Sequence, residues 1–161
     1  MLQRRNEFTY MIEQLNFLLG VWKGEGHASY PTIKSTDYTE ELSFERVEGD
    51  KSIQFLQKTW YKSDGNSLHF EAGYFIAEED GSFTFLNAQN SNRTEVMRCR
   101  LESSLKLICE LKEIGNDERP VKTRREFFIE DGFLKYKLFL QTRNQPFQLH
   151  LEAKLKKFNN A

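Results

Sequence analysis

The sequence predicts an all-β fold, a ten-stranded antiparallel up-and-down barrel with one short N-terminal helix. Three observations predict it. From residue 20 onward the apolar residues recur with a period of two, Asp-Gly pairs separate several of the alternating segments, and the 161 residues fit a single domain, 1–161. Because an open sheet of ten strands would leave two edges free to aggregate, we expect the sheet to close on itself.

The helix is predicted at residues 8–19, FTYMIEQLNFLL. Its apolar residues recur three or four positions apart, which is typical of an amphipathic helix. Asn6 is a suitable N-cap and Gly20 a suitable stop. Since no later segment has this spacing, we expect this helix to cover one mouth of the barrel.

The strands are predicted from segments rich in aromatic, branched and Thr residues. They are 20–28, 37–47, 52–62, 67–78, 82–88, 92–101, 104–113, 120–130, 133–143 and 147–157. The pairs Asp64-Gly65, Asp80-Gly81 and Asp131-Gly132 predict tight hairpin turns between them. A barrel of ten strands is wide enough to enclose a ligand.

Charge and hydropathy limit the partners. The 23 Lys and Arg residues against 24 Asp and Glu give a net charge of −1, which argues against a nucleic-acid partner. The N-terminal segment is charged where a signal peptide would be apolar, and no apolar run approaches the ~20 residues of a membrane span. We therefore expect a cytoplasmic protein with no membrane partner.

The two cysteines, Cys99 and Cys109, are too few for a disulfide framework or a thiolate zinc site. They flank a predicted two-residue turn near Ser103 and Ser104. That turn would leave them one residue out of register and on opposite faces of the sheet. We expect no disulfide between them and a reducing compartment.

The segment GVWKGEG, residues 20–26, is the densest cluster of glycines in the chain. It is not a phosphate loop, because it follows a helix and lacks the Lys-Ser/Thr ending. Gly20, Gly24 and Gly26 instead let another backbone, or a flat ligand, approach the strand closely. Trp22 is predicted to be a core residue beneath the helix. No nucleophile triad, P-loop or HExxH motif occurs.

The chain has three histidines. His27 is placed at the start of a loop, as a solvated residue. His69 alternates with large apolar residues, so it faces a cavity or bonds across strands. His150 shares the parity of Gln148 and Glu152, which groups it with the polar face of its strand unless a β-bulge or the barrel rim intervenes.

Several short motifs occur in order along the chain, and together they resemble the nitrobindin family. They are GVWKGEG (20–26), YPTI (30–33), HFEAGYF (69–75), AQ (88–89) with EV (95–96), REF (125–127) and QPFQLHL (145–151). The resemblance covers about residues 15–157. The sequence departs from the family pattern at residues 90–92, Asn-Ser-Asn, which indicates a different turn, and at Arg143.

This resemblance implies a fatty-acid-binding-protein-like barrel, of the calycin or lipocalin type, that holds heme b near one mouth. It implies that His150 is the axial ligand of the heme iron and that Thr32 contacts the heme. Arg143 then lies close to the heme edge, where it is a candidate partner of a propionate. The implied activity is binding of nitric oxide and isomerisation of peroxynitrite to nitrate.

Two other functions stay open at this point. The same barrel would serve as a carrier of a fatty acid or another small apolar ligand without redox chemistry, because fold does not fix function. A heme-dependent sensor of nitric oxide is a further alternative. The sequence leaves the oligomeric state open between a monomer and a weak dimer.

Overall fold

The computed structural model describes residues 2–159, with side chains from residue 7 onward. This part of the chain forms one α-helix, α1 (Leu2–Glu13), a 3₁₀ turn (Asn16–Leu18) and ten strands. The strands are β1 (Gly20–Tyr30), β2 (Ile33–Arg46), β3 (Ser52–Tyr61), β4 (Ser67–Ala77), β5 (Phe83–Gln89), β6 (Thr94–Ser103), β7 (Lys106–Gly115), β8 (Pro120–Glu130), β9 (Phe133–Thr142) and β10 (Gln148–Phe158).

Each strand pairs antiparallel with its neighbours in sequence, and β10 pairs with β1 to close the barrel. The predicted fold class is confirmed. Gly65, Gly81 and Gly132 have φ of 73°, 84° and 79°, the conformation that the Asp-Gly turns require. Within residues 2–159, no helix is long and apolar enough to cross a membrane.

The helix begins and ends earlier than predicted. Asn6 lies inside α1 and is not its N-cap, and the predicted range 8–19 contains the end of α1 followed by the 3₁₀ turn. The apolar spacing still holds across this break, because Ile12, Leu15 and Leu18 are all fully buried. Side chains three apart eclipse in a 3₁₀ turn, so Leu15 and Leu18 stay on one face while the helix tightens.

The glycine-rich strand β1 packs tightly under this helical segment. Trp22 is 4% exposed and its Nε1 donates a hydrogen bond to the Leu18 carbonyl oxygen at 2.8 Å. A Cβ atom on Gly24 would lie 2.1 Å from the Lys154 carbonyl oxygen, and one on Gly26 would lie 2.3 Å from the Tyr38 ring. In this structure both glycines make room for the barrel's own atoms.

The prediction for the cysteines is wrong, because Cys99 and Cys109 form a disulfide. A two-residue turn, residues 104–105, does join β6 to β7. However, the register shifts between Leu101 and Ser103, where Glu102 is an extra residue. This bulge moves the pairing by one, so Cys99 lies directly opposite Cys109, and both side chains point into the core.

The barrel interior is layered from one end to the other. The end covered by α1 is filled by stacked and edge-to-face rings of Phe44, Phe55, Phe75, Phe85 and Phe127. Further along the same strands the inward residues are polar or charged, among them Glu40 on β2, Gln57 on β3, Glu71 on β4 and Arg125 on β8. Beyond this polar layer, at the mouth opposite α1, the barrel is open.

Candidate ligand-binding site

The open mouth leads into a cavity of about 560 Å³. This volume lies within the range of roughly 300–1,000 Å³ that is common for small-molecule sites. The wall of the cavity is largely apolar, from Ala28, Ile33, Leu68, Leu138 and Leu151, and its floor is the polar layer, including Gln57, Glu71 and Tyr136. The site therefore suits a ligand with an apolar body.

His150 reaches this cavity because β10 is irregular. Leu149 pairs with Phe139 and Leu151 pairs with Leu138, so His150 is an extra residue in the β9–β10 ladder. Leu151 lines the cavity, whereas Leu149 is 38% exposed on the outside of the barrel. The bulge thus turns His150 inward although its even position in the strand predicts the opposite face.

The His150 imidazole is held in one tautomer. Its Nδ1 lies 3.2 Å from the Ser29 carbonyl oxygen, which can only accept a hydrogen bond, so Nδ1 carries the proton and Nε2 keeps a lone pair. The Tyr30 ring packs edge-on, with ring centroids 5.4 Å apart. Burial lowers the pKa of His150, which favours the neutral imidazole that a metal requires.

A second imidazole, His69, lines the same cavity but is tied to the buried charges of the floor. Its Nε2 lies 2.9 Å from Oε1 of Glu71. Both carboxylate oxygens of Glu71 accept bonds from Arg125, at 2.5 Å and 2.9 Å. Burial alone would raise the pKa of Glu71, but the Arg125 guanidinium and His69 lower it to about 2.

Arg125 is the centre of this polar layer, at 1% exposed. Besides Glu71 it contacts Glu95 at 3.4 Å and the Tyr136 hydroxyl at 3.2 Å. Burial would lower the pKa of Arg125, but Glu71, with the other groups around it, raises that pKa well above its usual value. Each of these buried charges therefore has an opposite partner, as a buried ion requires.

Glu40 lies in the same layer without a cation against it. Gln57 donates a hydrogen bond to Oε1 of Glu40 at 2.6 Å, while Oε2 is buried with no partner among the described residues. Burial raises the pKa of Glu40 to about 7. Near neutral pH the polar layer beneath the cavity thus contains a carboxyl group that is partly protonated.

The remaining predicted residues lie at or outside the mouth. Thr32 is exposed in the turn between β1 and β2, although its neighbours Ile33 and Lys34 line the cavity. Arg143 is exposed in the loop between β9 and β10 and does not line the cavity. His27 is not in a loop. It lies within β1 on the outside, where its Nδ1 is 2.7 Å from Oδ1 of Asp37.

Among the described residues, the cations that line the cavity are Arg93 and Lys34. Arg93 is the one held by neighbouring side chains. It follows the turn at residues 90–92, in which Asn92 has φ of 71° and Asn90 bonds to both backbone polar groups of Phe70. Sequence reasoning missed Arg93, Glu71 and Arg125 as site residues. The signal available was their position in or beside the quoted motifs HFEAGYF, EV and REF, where charged residues alternate with core residues.

A heme would need an axial ligand, an apolar chamber and partners for its carboxylates. An axial histidine commonly donates its second ring nitrogen to a carbonyl or carboxylate, which is the arrangement of His150. The apolar wall suits a porphyrin, and two cations stand at the mouth for its carboxylates. Among the described residues, no group of three or more His, Cys, Asp or Glu side chains could hold a free metal ion. The residues present fit a heme.

A closed barrel with an open, largely apolar cavity and an oriented imidazole defines a small-ligand-binding β-barrel protein. A family model described as the THAP4-like, heme-binding beta-barrel domain matches residues 11–157, and the chain belongs to that family. This confirms the resemblance stated from the motifs.

Similar proteins support the same assignment over nearly the whole chain. A protein of Arabidopsis thaliana named peroxynitrite isomerase Rv2717c is 38% identical over 149 residues, covering 91% of this chain and 88% of that protein. Peroxynitrite isomerase 1 of Mycolicibacterium paratuberculosis is 33% identical, with coverage of 86% and 89%. The crystal structure of Rv2717c from M. tuberculosis matches with a TM-score of 0.82 at 30% identity, covering 92% of this chain and 98% of that one.

Proposed function

We propose that this protein binds heme b in the cavity through His150 and isomerises peroxynitrite to nitrate, and that it binds nitric oxide at the same site. The observation that carries the proposal is the His150 bulge, which brings a neutral imidazole with a free Nε2 lone pair to the largely apolar wall of the cavity. The family description and the names of the relatives support it.

When bound, a ferric heme supplies an iron atom with one position open to a small ligand. The chain supplies the surroundings. Leu68, Leu138 and Leu151 limit the access of water to the chamber, which confines a reactive ligand there. Ser29 fixes the orientation of His150, and Glu71 fixes that of His69. Because Glu71 engages the Nε2 of His69, that nitrogen would not be free to bind the iron of a bound heme.

Thr32 and Arg143 enter the proposal as rim residues. Both lie in loops at the open mouth, so they would contact only the edge of a ligand that protrudes from the cavity. The partners we propose are small molecules, nitric oxide and peroxynitrite. A cytoplasmic location stays part of the proposal, and the buried disulfide would have to persist or form there.

The test replaces each histidine in turn and loads the protein with hemin. His150→Ala should weaken the affinity for hemin by more than ~10- to 100-fold, which is the loss expected when a residue that only orients a ligand is removed. It should also lose peroxynitrite isomerisation while the barrel stays folded. His69→Ala and His27→Ala should keep a five-coordinate ferric absorption spectrum, and His27 is the matched control because it is also paired with a carboxylate but lies outside the barrel.

The decisive readouts are the Soret spectrum and the yield of nitrate from peroxynitrite. If His150→Ala binds heme with an unaltered spectrum and still speeds decay to nitrate, the ligand assignment is wrong. A wild-type protein that stays colourless with added hemin would instead favour the second candidate, a carrier of an apolar ligand, which the leucine-lined cavity also suits.

A further inference from the structure

We propose that Arg93 is the carboxylate receptor of the cavity and selects amphipathic ligands that carry an apolar body and a carboxylate. This rests on the proposed function only for heme, whose propionates are such carboxylates. A fatty acid presents the same chemistry. The inference assigns this role to Arg93, in place of the loop residue Arg143 that the sequence singled out.

The guanidinium of Arg93 is held in place from one side. Its Nε donates a hydrogen bond to Oε1 of Gln89 at 3.0 Å, and its side chain is 20% exposed. Among the described residues, neither terminal nitrogen of Arg93 makes a hydrogen bond. An arginine that lines a cavity with both terminal nitrogens free of hydrogen bonds presents the fork that recognises a carboxylate through two bonds.

The charge of Arg93 is balanced by groups that have other partners. Asp117 lies 3.6 Å from Nη1 of Arg93, beyond hydrogen-bond distance, and already accepts two bonds of 2.9 Å from Arg119. Glu95 lies 3.6 Å from Nε and also contacts Arg125 at 3.4 Å. A ligand carboxylate can therefore replace Asp117 beside Arg93 without leaving Asp117 unpaired.

The position of Arg93 relative to the apolar wall determines the ligand class. Arg93 follows β5 and precedes β6 at the open mouth, while Leu68, Leu138 and Leu151 line the space beneath. A ligand with its apolar part inside would place its carboxylate at the mouth, next to the guanidinium. Exposed Arg143 lacks this relation because it does not line the cavity.

The experiment removes the carboxylate and the guanidinium separately. Wild-type protein, Arg93→Gln and Arg93→Lys are titrated with hemin and with hemin dimethyl ester, followed by absorption. Arg119→Gln is the control, because Arg119 shares Asp117 with Arg93 but is 83% exposed. Arg143→Gln tests the competing assignment of the carboxylate contact to the rim. Wild type and Arg119→Gln should bind the ester about 10- to 100-fold more weakly than hemin, the range of one charged hydrogen-bonded contact.

Arg93→Gln should lose most of the preference for hemin over the ester, with no loss of affinity for the ester itself, and Lys34 accounts for any preference that is left. Arg93→Lys should discriminate less than wild type, because an ammonium lacks the fork. Equal discrimination by wild type and both Arg93 variants would overturn the proposal, as would discrimination lost in Arg143→Gln instead. If Arg93→Gln does not fold, the wild-type ester comparison and Arg93→Lys still decide.

A parallel titration with oleate and methyl oleate separates the two sources of carboxylate. If wild type ignores hemin but binds oleate in an Arg93-dependent way, the proposed function is wrong and the carboxylate receptor stands. If hemin binds and supports isomerisation but the carboxylate makes no difference in either ligand pair, the proposed function stands and the receptor is overturned.

Discussion

Two buried carboxyl groups in the polar layer show how a neighbouring residue sets the protonation state of a carboxyl group. Glu40 and Glu71 are both almost fully buried, at 2% and 6% exposed, and burial disfavours the charge of each. Arg125 contacts Glu71 through two hydrogen bonds, whereas Glu40 has an amide of Gln57. The pKa of Glu71 therefore falls to about 2, and that of Glu40 rises to about 7.

The raised pKa of Glu40 predicts a pH-dependent stability. Between its ordinary value of 4.5 and about 7, the folded state holds a proton that the unfolded state has released, so the free energy of unfolding falls as pH rises through this window. The expected loss is about 3 kcal/mol at most. Glu40→Gln should remove this loss, so its stability relative to wild type should increase from pH 5 to pH 8 in urea denaturation.

The neighbouring variant Glu41→Gln is the control, because Glu41 faces outward and pairs with Lys23. Glu71 acts in a different range. Its pKa is lowered, so its stabilising effect is present above pH 4.5 and lost as pH falls toward 2, and it does not interfere between pH 5 and pH 8. Parallel stability curves for wild type and Glu40→Gln across that range would contradict a raised pKa.

At the scale of strands and turns, the sequence predicts those features whose signal lies within a short segment of the chain. The Asp-Gly turns and the period-two segments are local, and they predicted the strands to within a few residues at most ends. The bulges at Glu102 and His150 are properties of the pairing between two strands, so neither strand alone shows them. They account for the wrong cysteine prediction and for the inward direction of His150, which the resemblance implies but its parity in the strand does not.

The polar contacts of the site were harder still to predict. Arg125 and Glu71 are 54 residues apart in sequence and meet because β8 and β4 face each other across the barrel. Arg93 lines the cavity, while Arg143, in another loop at the same mouth, does not. Composition and spacing contain no information about which of two arginines in mouth loops turns inward.

The burial of Trp22 allows a prediction of how much the junction between helix and barrel contributes to the free energy of unfolding. Its indole is buried and hydrogen-bonded to Leu18, so Trp22→Ala should create a cavity and leave a carbonyl unpaired. The expected cost is about 3–5 kcal/mol in chemical denaturation. Trp60→Ala is the control, since Trp60 is only partly buried against Phe70, and it should cost clearly less. An unchanged denaturation midpoint in Trp22→Ala would show that the junction contributes little.

At the scale of the whole molecule, stability depends mainly on one end of the barrel and ligand binding on the other. The α1 end is filled by aromatic and aliphatic residues, and the opposite end is left open as the cavity. The polar layer between them belongs to both, because it completes the interior and forms the floor of the site. Substitutions near the mouth are therefore expected to change ligand binding with smaller effects on folding than substitutions at the α1 end.

Closure also predicts the oligomeric state. With β1 paired to β10, no strand edge of the described barrel is free to recruit a second copy. We expect a monomer of 19.1 kDa, or a weakly associating one, in sedimentation velocity at micromolar concentration. A dimer that persists on dilution to nanomolar concentration would contradict this and would direct attention to the exposed apolar residues Val121, Phe147 and Leu149 on the outside.

The extra residue in β10, His150, adds a binding group to the cavity without being needed for the fold. Residues 151–155 keep an unbroken register with β9 on one side of His150, and residues 148–149 keep theirs on the other. Deleting that one codon would restore a continuous ladder and take away the imidazole without exchanging any core residue. A single insertion or deletion event is therefore enough to add an imidazole to the cavity of a barrel of this kind, or to remove it.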